Sequence, residues 1–165
     1  MPQAESEQQR FFTPEDYIEK LKREIFTPES NPQLYEFEGS YAYVGQINIH
    51  YGTVLIDDNM AMVGEIRDPS SSCRKHVVKG SIANTPEGTR MRFEKIPTGE
   101  LLPIHYDLLK TARNGGIDGD YEGIWSFKEL CDDHAVGFRR NKDGTVDTIM
   151  HPEEKNKATL LLRKV

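Results

Sequence analysis

The chain reads as a mainly β protein: an antiparallel up-and-down (meander) β-barrel of about 8–10 strands with one N-terminal α-helix. Three observations predict this. Apolar and polar residues alternate at period two through most of the chain after residue 34. Short turn signals separate the alternating runs. One pattern, aromatic-Glu-Gly-x-aromatic, occurs twice, as Phe37-Glu38-Gly39-Ser40-Tyr41 and as Tyr121-Glu122-Gly123-Ile124-Trp125. In a strand, each copy puts its aromatics and glycine on one face and its glutamate on the other. An aromatic inner face relieved by a glycine suits a curved sheet that closes on itself.

At 165 residues the default is one domain. The expected organisation is a polar, flexible N-terminus over 1–12 and a single barrel domain over 13–165. Within it, 13–33 is helix and linker and 34–165 is barrel. Hydrophobic residues are 36% and charged residues 29%, so the chain is neither disordered nor membrane-spanning by composition. Its apolar runs are far too short for a membrane span.

The net charge of -6 and pI near 5.4 argue against a nucleic-acid partner, which needs a basic footprint. Arg74-Lys75-His76, Arg90/Arg92 and Arg139-Arg140 are each small enough to be solvated strand faces. The segment MPQAESEQQR has no apolar core and no basic leader, so the expected location is cytoplasmic. Cys73 and Cys131 read as two free thiols, because nothing resembles a disulfide framework, and the sequence leaves a pairing of the two open.

Thr13-Pro14-Glu15-Asp16 starts a helix, with threonine as cap, proline at the first position and acids in the first turn. Ile18, Leu21 and Ile25 form an apolar stripe along residues 14–26, and Pro28 and Pro32 end it. This helix is expected to pack on, or plug, the sheet. Next, Tyr35, Phe37, Tyr41, Tyr43, Ile47, Ile49 and Tyr51 all fall on odd positions, with Glu36, Glu38, Ser40, Gln46, Asn48 and His50 on even ones. That run is too long for one strand and predicts a bend near Gly45.

Further strands are predicted at 52–57, 60–67, 76–84, 89–96, 103–110, 119–128, 134–141, 144–150 and 158–164. Asp143-Gly144 between two of them is a strong hairpin signal. Tyr-Glu-Gly-x-Trp also occurs in MORN hairpin repeats, but no short period recurs here.

From residue 60 onward the order of signals resembles another group. Gly64 and Gly80 stand in consecutive strands, followed by Met91-Arg92-Phe93-Glu94-Lys95, Ile104-His105-Tyr106, Gly119-Asp120-Tyr121-Glu122-Gly123-Ile124-Trp125 and Val136-Gly137-Phe138. As a pattern of strands over about residues 35–164, this is similar to the calycin-type meander barrels: lipocalin-like, fatty-acid-binding-protein-like and avidin-like proteins. The chain departs from lipocalins in carrying its Gly-x-Trp step late, with Gly39-Ser40-Tyr41 on the first strand. The resemblance implies the architecture and the habit of binding small apolar ligands. It implies no particular ligand, cofactor or catalytic residue.

The candidate inward, ligand-binding positions are Tyr41, Tyr43, Met62, Phe93, Tyr106, Tyr121, Trp125 and Phe138. They either line a cavity or fill the core. No metal site is expected. His105-Tyr106-Asp107 and Asp132-Asp133-His134 read as solvent-facing polar residues, with His105 pointing outward. Asn141-Lys142-Asp143-Gly144-Thr145-Val146-Asp147 lacks the terminal glutamate of a calcium loop and reads as a hairpin turn. Asp57-Asp58 reads as turn chemistry, and Cys73, beside Arg74 and Lys75, as a loop thiol. Glu65, Arg92 and Glu94 are expected to face out, opposite Met62, Met91 and Phe93.

The function this supports is binding of a small apolar or amphipathic ligand inside a lipocalin-like barrel, without a cofactor. The alternatives are a lipocalin-fold enzyme (isomerase, cyclase or lyase) and a solid barrel acting as an interaction or inhibitor module. Inward-pointing ionisable residues would favour the enzyme. An exposed apolar patch beside a filled barrel would favour the interaction module. The oligomeric state is not legible.

Overall fold

Thr13 caps the helix: its side chain accepts a hydrogen bond from the Asp16 N–H at 3.1 Å. The computed structural model describes residues 13–43, 45–71, 74–97, 103–112, 115–127, 135–140, 142–144, 146–150 and 156–165, with backbone only at 127, 135–140 and 146–150. Helix α1 runs Pro14–Ile25. Ten strands follow: β1 (Gln33–Tyr43), β2 (Gln46–Ile56), β3 (Ala61–Arg67), β4 (Lys75–Thr85), β5 (Gly88–Ile96), β6 (Ile104–Lys110), β7 (Gly119–Phe127), β8 (Ala135–Arg140), β9 (Val146–Met150) and β10 (Lys157–Lys164).

Eight of these strands close a barrel in the order β1-β10-β7-β6-β5-β4-β3-β2, every neighbouring pair antiparallel. Closure removes the sheet edges. The expected meander barrel is therefore the observed fold, with one helix among the described residues. Strands β8 and β9 form a separate hairpin inserted between β7 and β10. Their turn holds Gly144 at φ 89°, so Asp143-Gly144 acts as the hairpin signal it resembles.

The run after residue 34 needs a correction. It bends at Gly45, but as a two-residue hairpin turn, with Tyr43 paired to Gln46 and Gly45 at φ 74°. Such a turn places odd positions of β1 on the same face as even positions of β2. Tyr35 and Phe37 point into the barrel, and so do His50, Val54 and Ile56. Ile47, Ile49 and Tyr51 face solvent, Ile47 being 76% exposed. A single parity carried through the turn reverses every side chain beyond it.

Helix α1 packs on the outer wall and does not plug the barrel. Leu21 meets Val63 of β3 and Val77 of β4, flanked by Tyr17, Ile18, Ile25 and Phe26. Lys75 of β4 ties the helix start down by pairing with Glu15, and also binds Glu65 at 3.2 Å. The barrel interior is a separate core. One end of it is apolar: Phe37, Val54, Met62, Val78, Met91, Phe93, Leu160 and Leu162 leave no room among them for a water molecule.

Candidate functional site

The other end of the interior is polar. The β1–β2, β3–β4, β5–β6 and β7–β8 connections leave the barrel here. Tyr41 lies near the end of β1, and His50 of β2 pairs across to Gly39 of β1. Asp68 follows β3 directly. His76 opens β4, Lys95 nears the end of β5, Tyr106 opens β6 and Trp125 nears the end of β7. All eight barrel strands alternate inward and outward, so residues at strand ends on one parity converge on one small volume.

Glycine at position 39 is part of this construction. A Cβ there would lie 2.4 Å from the Thr159 carbonyl oxygen of β10 and 3.1 Å from His50 Nε2. The glycine of the first aromatic-Glu-Gly-x-aromatic copy therefore admits both the neighbouring strand and the imidazole. Its glutamate, Glu38, is exposed, as is Glu122 of the second copy.

At the centre is a buried ion pair. Lys95 Nζ lies 2.6 Å from Asp68 Oδ2, and each side chain is 1% exposed. Tyr41 Oη donates to the same oxygen at 2.6 Å. Asp68 Oδ1 accepts from the Ser70 N–H at 3.1 Å, closing the Asp68-Pro69-Ser70 turn. Lys95 Nζ also stands 3.2 Å from His50 Nδ1 and 4.5 Å from the centre of the Tyr41 ring. Burial opposes the Asp68 carboxylate, but the Lys95 charge and the hydrogen bonds from Lys95, Tyr41 and Ser70 outweigh it, and the net shift is downward.

The histidines are held neutral. Burial is the larger cause and the Lys95 charge adds to it, bringing His50 down to about 3 and His76 to about 4. An ammonium has only protons to offer, so His50 Nδ1 accepts from Lys95 and the imidazole proton sits on Nε2. Burial, reinforced by the hydrogen bond to Asp68, keeps the Tyr41 phenol protonated. Burial does the same to Tyr106. The cluster thus combines one cation, one anion and four neutral proton-bearing groups.

Three of its polar atoms have no partner among the described residues: His50 Nε2, His76 Nδ1 and Tyr106 Oη. The His50 and Tyr106 rings lie 5.7 Å apart, and Tyr106 stacks on Phe93 at 4.7 Å. An unmet buried donor costs about 1–3 kcal/mol. At the opposite end Tyr121 Oη donates to the Ile117 carbonyl at 2.6 Å and Lys110 Nζ to that of Gly116 at 2.9 Å, while the buried Asp57 keeps one oxygen, Oδ2, without a partner among the described residues.

The structure places the expected inward residues in three groups. Tyr41, Tyr106 and Trp125 belong to the polar end, with Trp125 Nε1 donating to the Ala42 carbonyl at 2.8 Å and its ring edge-on to Tyr41 at 6.3 Å. Tyr43 stands at the rim, 39% exposed, its ring 6.1 Å from that of Trp125. Met62 and Phe93 lie in the apolar packing, and Tyr121 is buried toward the far end. The Phe138 side chain lies outside the described residues.

Glu65 is half-buried on the outer wall, where Lys75 binds it. Arg92 also faces out, 3.4 Å from Asp107. Asp57, in its turn, accepts the Asn59 and Ala61 N–H groups at 3.0 and 2.9 Å, the turn chemistry expected of it. Cys73, Cys131 and Asp132-Asp133-His134 lie outside the described residues. Among the described residues no group of three or more His, Cys, Asp and Glu could hold a metal ion.

Lys95, Asp68, His50 and His76 are the members that the sequence reading missed. Lys95 carried a usable signal, since it shares the parity of Met91 and Phe93. Asp68 was hidden in a turn signature and His50 in the reversed parity of β2. No protein-family model, no curated protein and no solved structure matches this chain.

Proposed function

We propose that the protein binds a small amphipathic molecule at the polar end of its barrel, in the manner of a lipocalin-like carrier. The observation that carries this reading is the buried cluster of Tyr41, His50, Asp68, His76, Lys95 and Tyr106 at one end of the barrel. A buried ion pair is a poor stabiliser, since apolar residues of similar volume do as well or better. Its presence in a barrel that is apolar at the other end speaks for binding or chemistry. The tight packing of Phe37, Val54, Met62 and Leu160 argues that the ligand sits toward the polar end, its apolar part against Trp125, Tyr41 and Tyr43.

Trp125 is the chain's single tryptophan and reports directly on this site. Titration with hydrophobic probes is expected to change its fluorescence, and native mass spectrometry of protein purified without denaturant is expected to show a bound small molecule. Unchanged fluorescence together with a bare mass sinks the reading.

A second reading, acid–base catalysis on the bound molecule, is favoured by the same inward ionisable groups. Neutral imidazoles and protonated phenols stand beside a lysine here, although His50 at about 3 and His76 at about 4 are weak bases at neutral pH unless a bound molecule changes their surroundings. Its test is chemical. The bound molecule should change structure on incubation with the protein and remain unchanged with Lys95→Met. The exposed stripe of Ile47, Ile49 and Tyr51 is what an interaction module would use, and nothing in the structure shows what covers it.

A further inference from the structure

The chemistry of the polar end narrows the class of ligand. Among the described residues its charges cancel: Lys95 is paired to Asp68 at 2.6 Å, and Asp68 takes a second hydrogen bond from Tyr41. A carboxylate entering this volume would lose its hydration without finding a spare cation among the described residues, which burial punishes heavily. A fatty-acid head group is therefore a poor match. The site does offer proton donors that nothing among the described residues accepts. His50 Nε2, with its tautomer fixed by Lys95 on the other ring nitrogen, is one, and Tyr106 Oη is the other. Both residues are at most 1% exposed, so bulk water does not meet their needs. Their rings are 5.7 Å apart, on β2 and β6 across the barrel.

We propose that this end of the barrel takes a neutral carbonyl compound, a ketone, aldehyde or ester on a mainly apolar body, whose oxygen accepts from His50 Nε2–H and Tyr106 O–H. A carbonyl oxygen has two lone pairs and no proton to misplace, so it complements two donors without adding charge. The aromatic surfaces of Trp125, Tyr41 and Tyr43 cover the apolar body. The inference rests on the proposed small-molecule binding and specifies its head group. Donors in place before binding favour an oxygen that gains negative character when its carbonyl is polarised.

The test compares three probes of equal chain length with the intact chain: 2-undecanone, undecanoate and undecane. Trp125 fluorescence gives the affinities at pH 7.5. Carbon-13 labelling of the ketone carbonyl gives its infrared stretch in the bound state. The ketone is expected to bind at least about tenfold more tightly than either other probe, with its carbonyl stretch moved to lower wavenumber. Tyr106→Phe, which keeps the ring stacked on Phe93, should return part of that shift and weaken the ketone alone. Should that variant not fold, the stretch in the unaltered chain decides by itself. Tighter binding of undecanoate, or a bound ketone with an unshifted carbonyl, overturns the carbonyl assignment and leaves the binding reading standing. If none of the three probes binds, both fall.

Discussion

The two ends of the barrel interior are built from the same strands and solve burial in opposite ways. At one end Phe37, Val54, Met62, Met91, Leu160 and Leu162 pack so closely that water is excluded, and Tyr121 and Lys110 find backbone carbonyls, with Asp57 Oδ2 at that end left unpaired among the described residues. At the other end an ion pair lies at 1% exposure, two imidazoles are kept neutral, and Tyr106 and His50 keep polar atoms without partners among the described residues. Nothing in the closure of eight strands demands the second arrangement, because the first shows that apolar side chains close such a barrel. The difference separates what holds the fold from what the fold holds.

The largest effect expected is on the ion pair. Lys95→Met leaves the Asp68 carboxylate buried without its cation and should lower stability in urea unfolding by about 3–5 kcal/mol. Adding Asp68→Leu should recover most of that loss, because the pair stabilises little against an apolar isostere. An unrecovered double variant would mean that the polar end is structural after all. At the apolar end, Leu160→Ala should cost about 2–5 kcal/mol, as buried Leu deletions do. It should leave probe affinity at Trp125 unchanged, and a large loss of affinity would break the division between the ends.

Acid should act on the polar end first. His50 and His76 resist protonation in the folded protein down to about pH 3 and about pH 4, while in the unfolded chain they titrate near about 6.5. The unfolded state therefore binds more protons across that window, and stability is full above it and falls with falling pH. Each histidine contributes a slope of about 1.4 kcal/mol per pH unit. Asp68 acts in the same direction lower down, since a depressed carboxyl stabilises above its unfolded pKa and loses that contribution as pH falls through the folded one. Urea unfolding between pH 7.5 and 4.5 measures the slope. His50→Gln should remove one histidine's share, and an unchanged slope would show that His50 is not held neutral.

The fold was legible because its signals are local. Alternation, Asp143-Gly144 and the Thr13-Pro14 helix start each concern a few neighbouring residues, and each appears where the sequence puts it. The inserted hairpin was not legible, since β8 and β9 alternate as barrel strands do. Only the long-range pairing of β10 with β7 excludes them from the barrel.

The candidate site was half legible. Its aromatics announced themselves by period. Lys95 obeys the same period, but its charge disguises an inward position as an outward one. The parity of β2 depends on whether the Gly45 turn has two residues or another number, a single-residue matter that reverses His50 and Ile49 together. The pairing of Asp68 with Lys95, from strand ends 27 positions apart, is tertiary and has no sequence signature.

The smallest effect is the sharpest. Tyr106 and Tyr121 are both fully buried on neighbouring strands, one hydroxyl without a partner among the described residues and the other bonded to a carbonyl. Phenylalanine at each position removes one oxygen atom and keeps the ring. Paired equilibrium urea unfolding of Tyr106→Phe and Tyr121→Phe, without added ligand, tests whether the polar end keeps its groups for something other than stability. Tyr121→Phe should lose about 0.5–1.5 kcal/mol, the usual worth of a made hydrogen bond. Tyr106→Phe should lose nothing or gain up to about 1 kcal/mol. An equal loss in both variants would contradict the account.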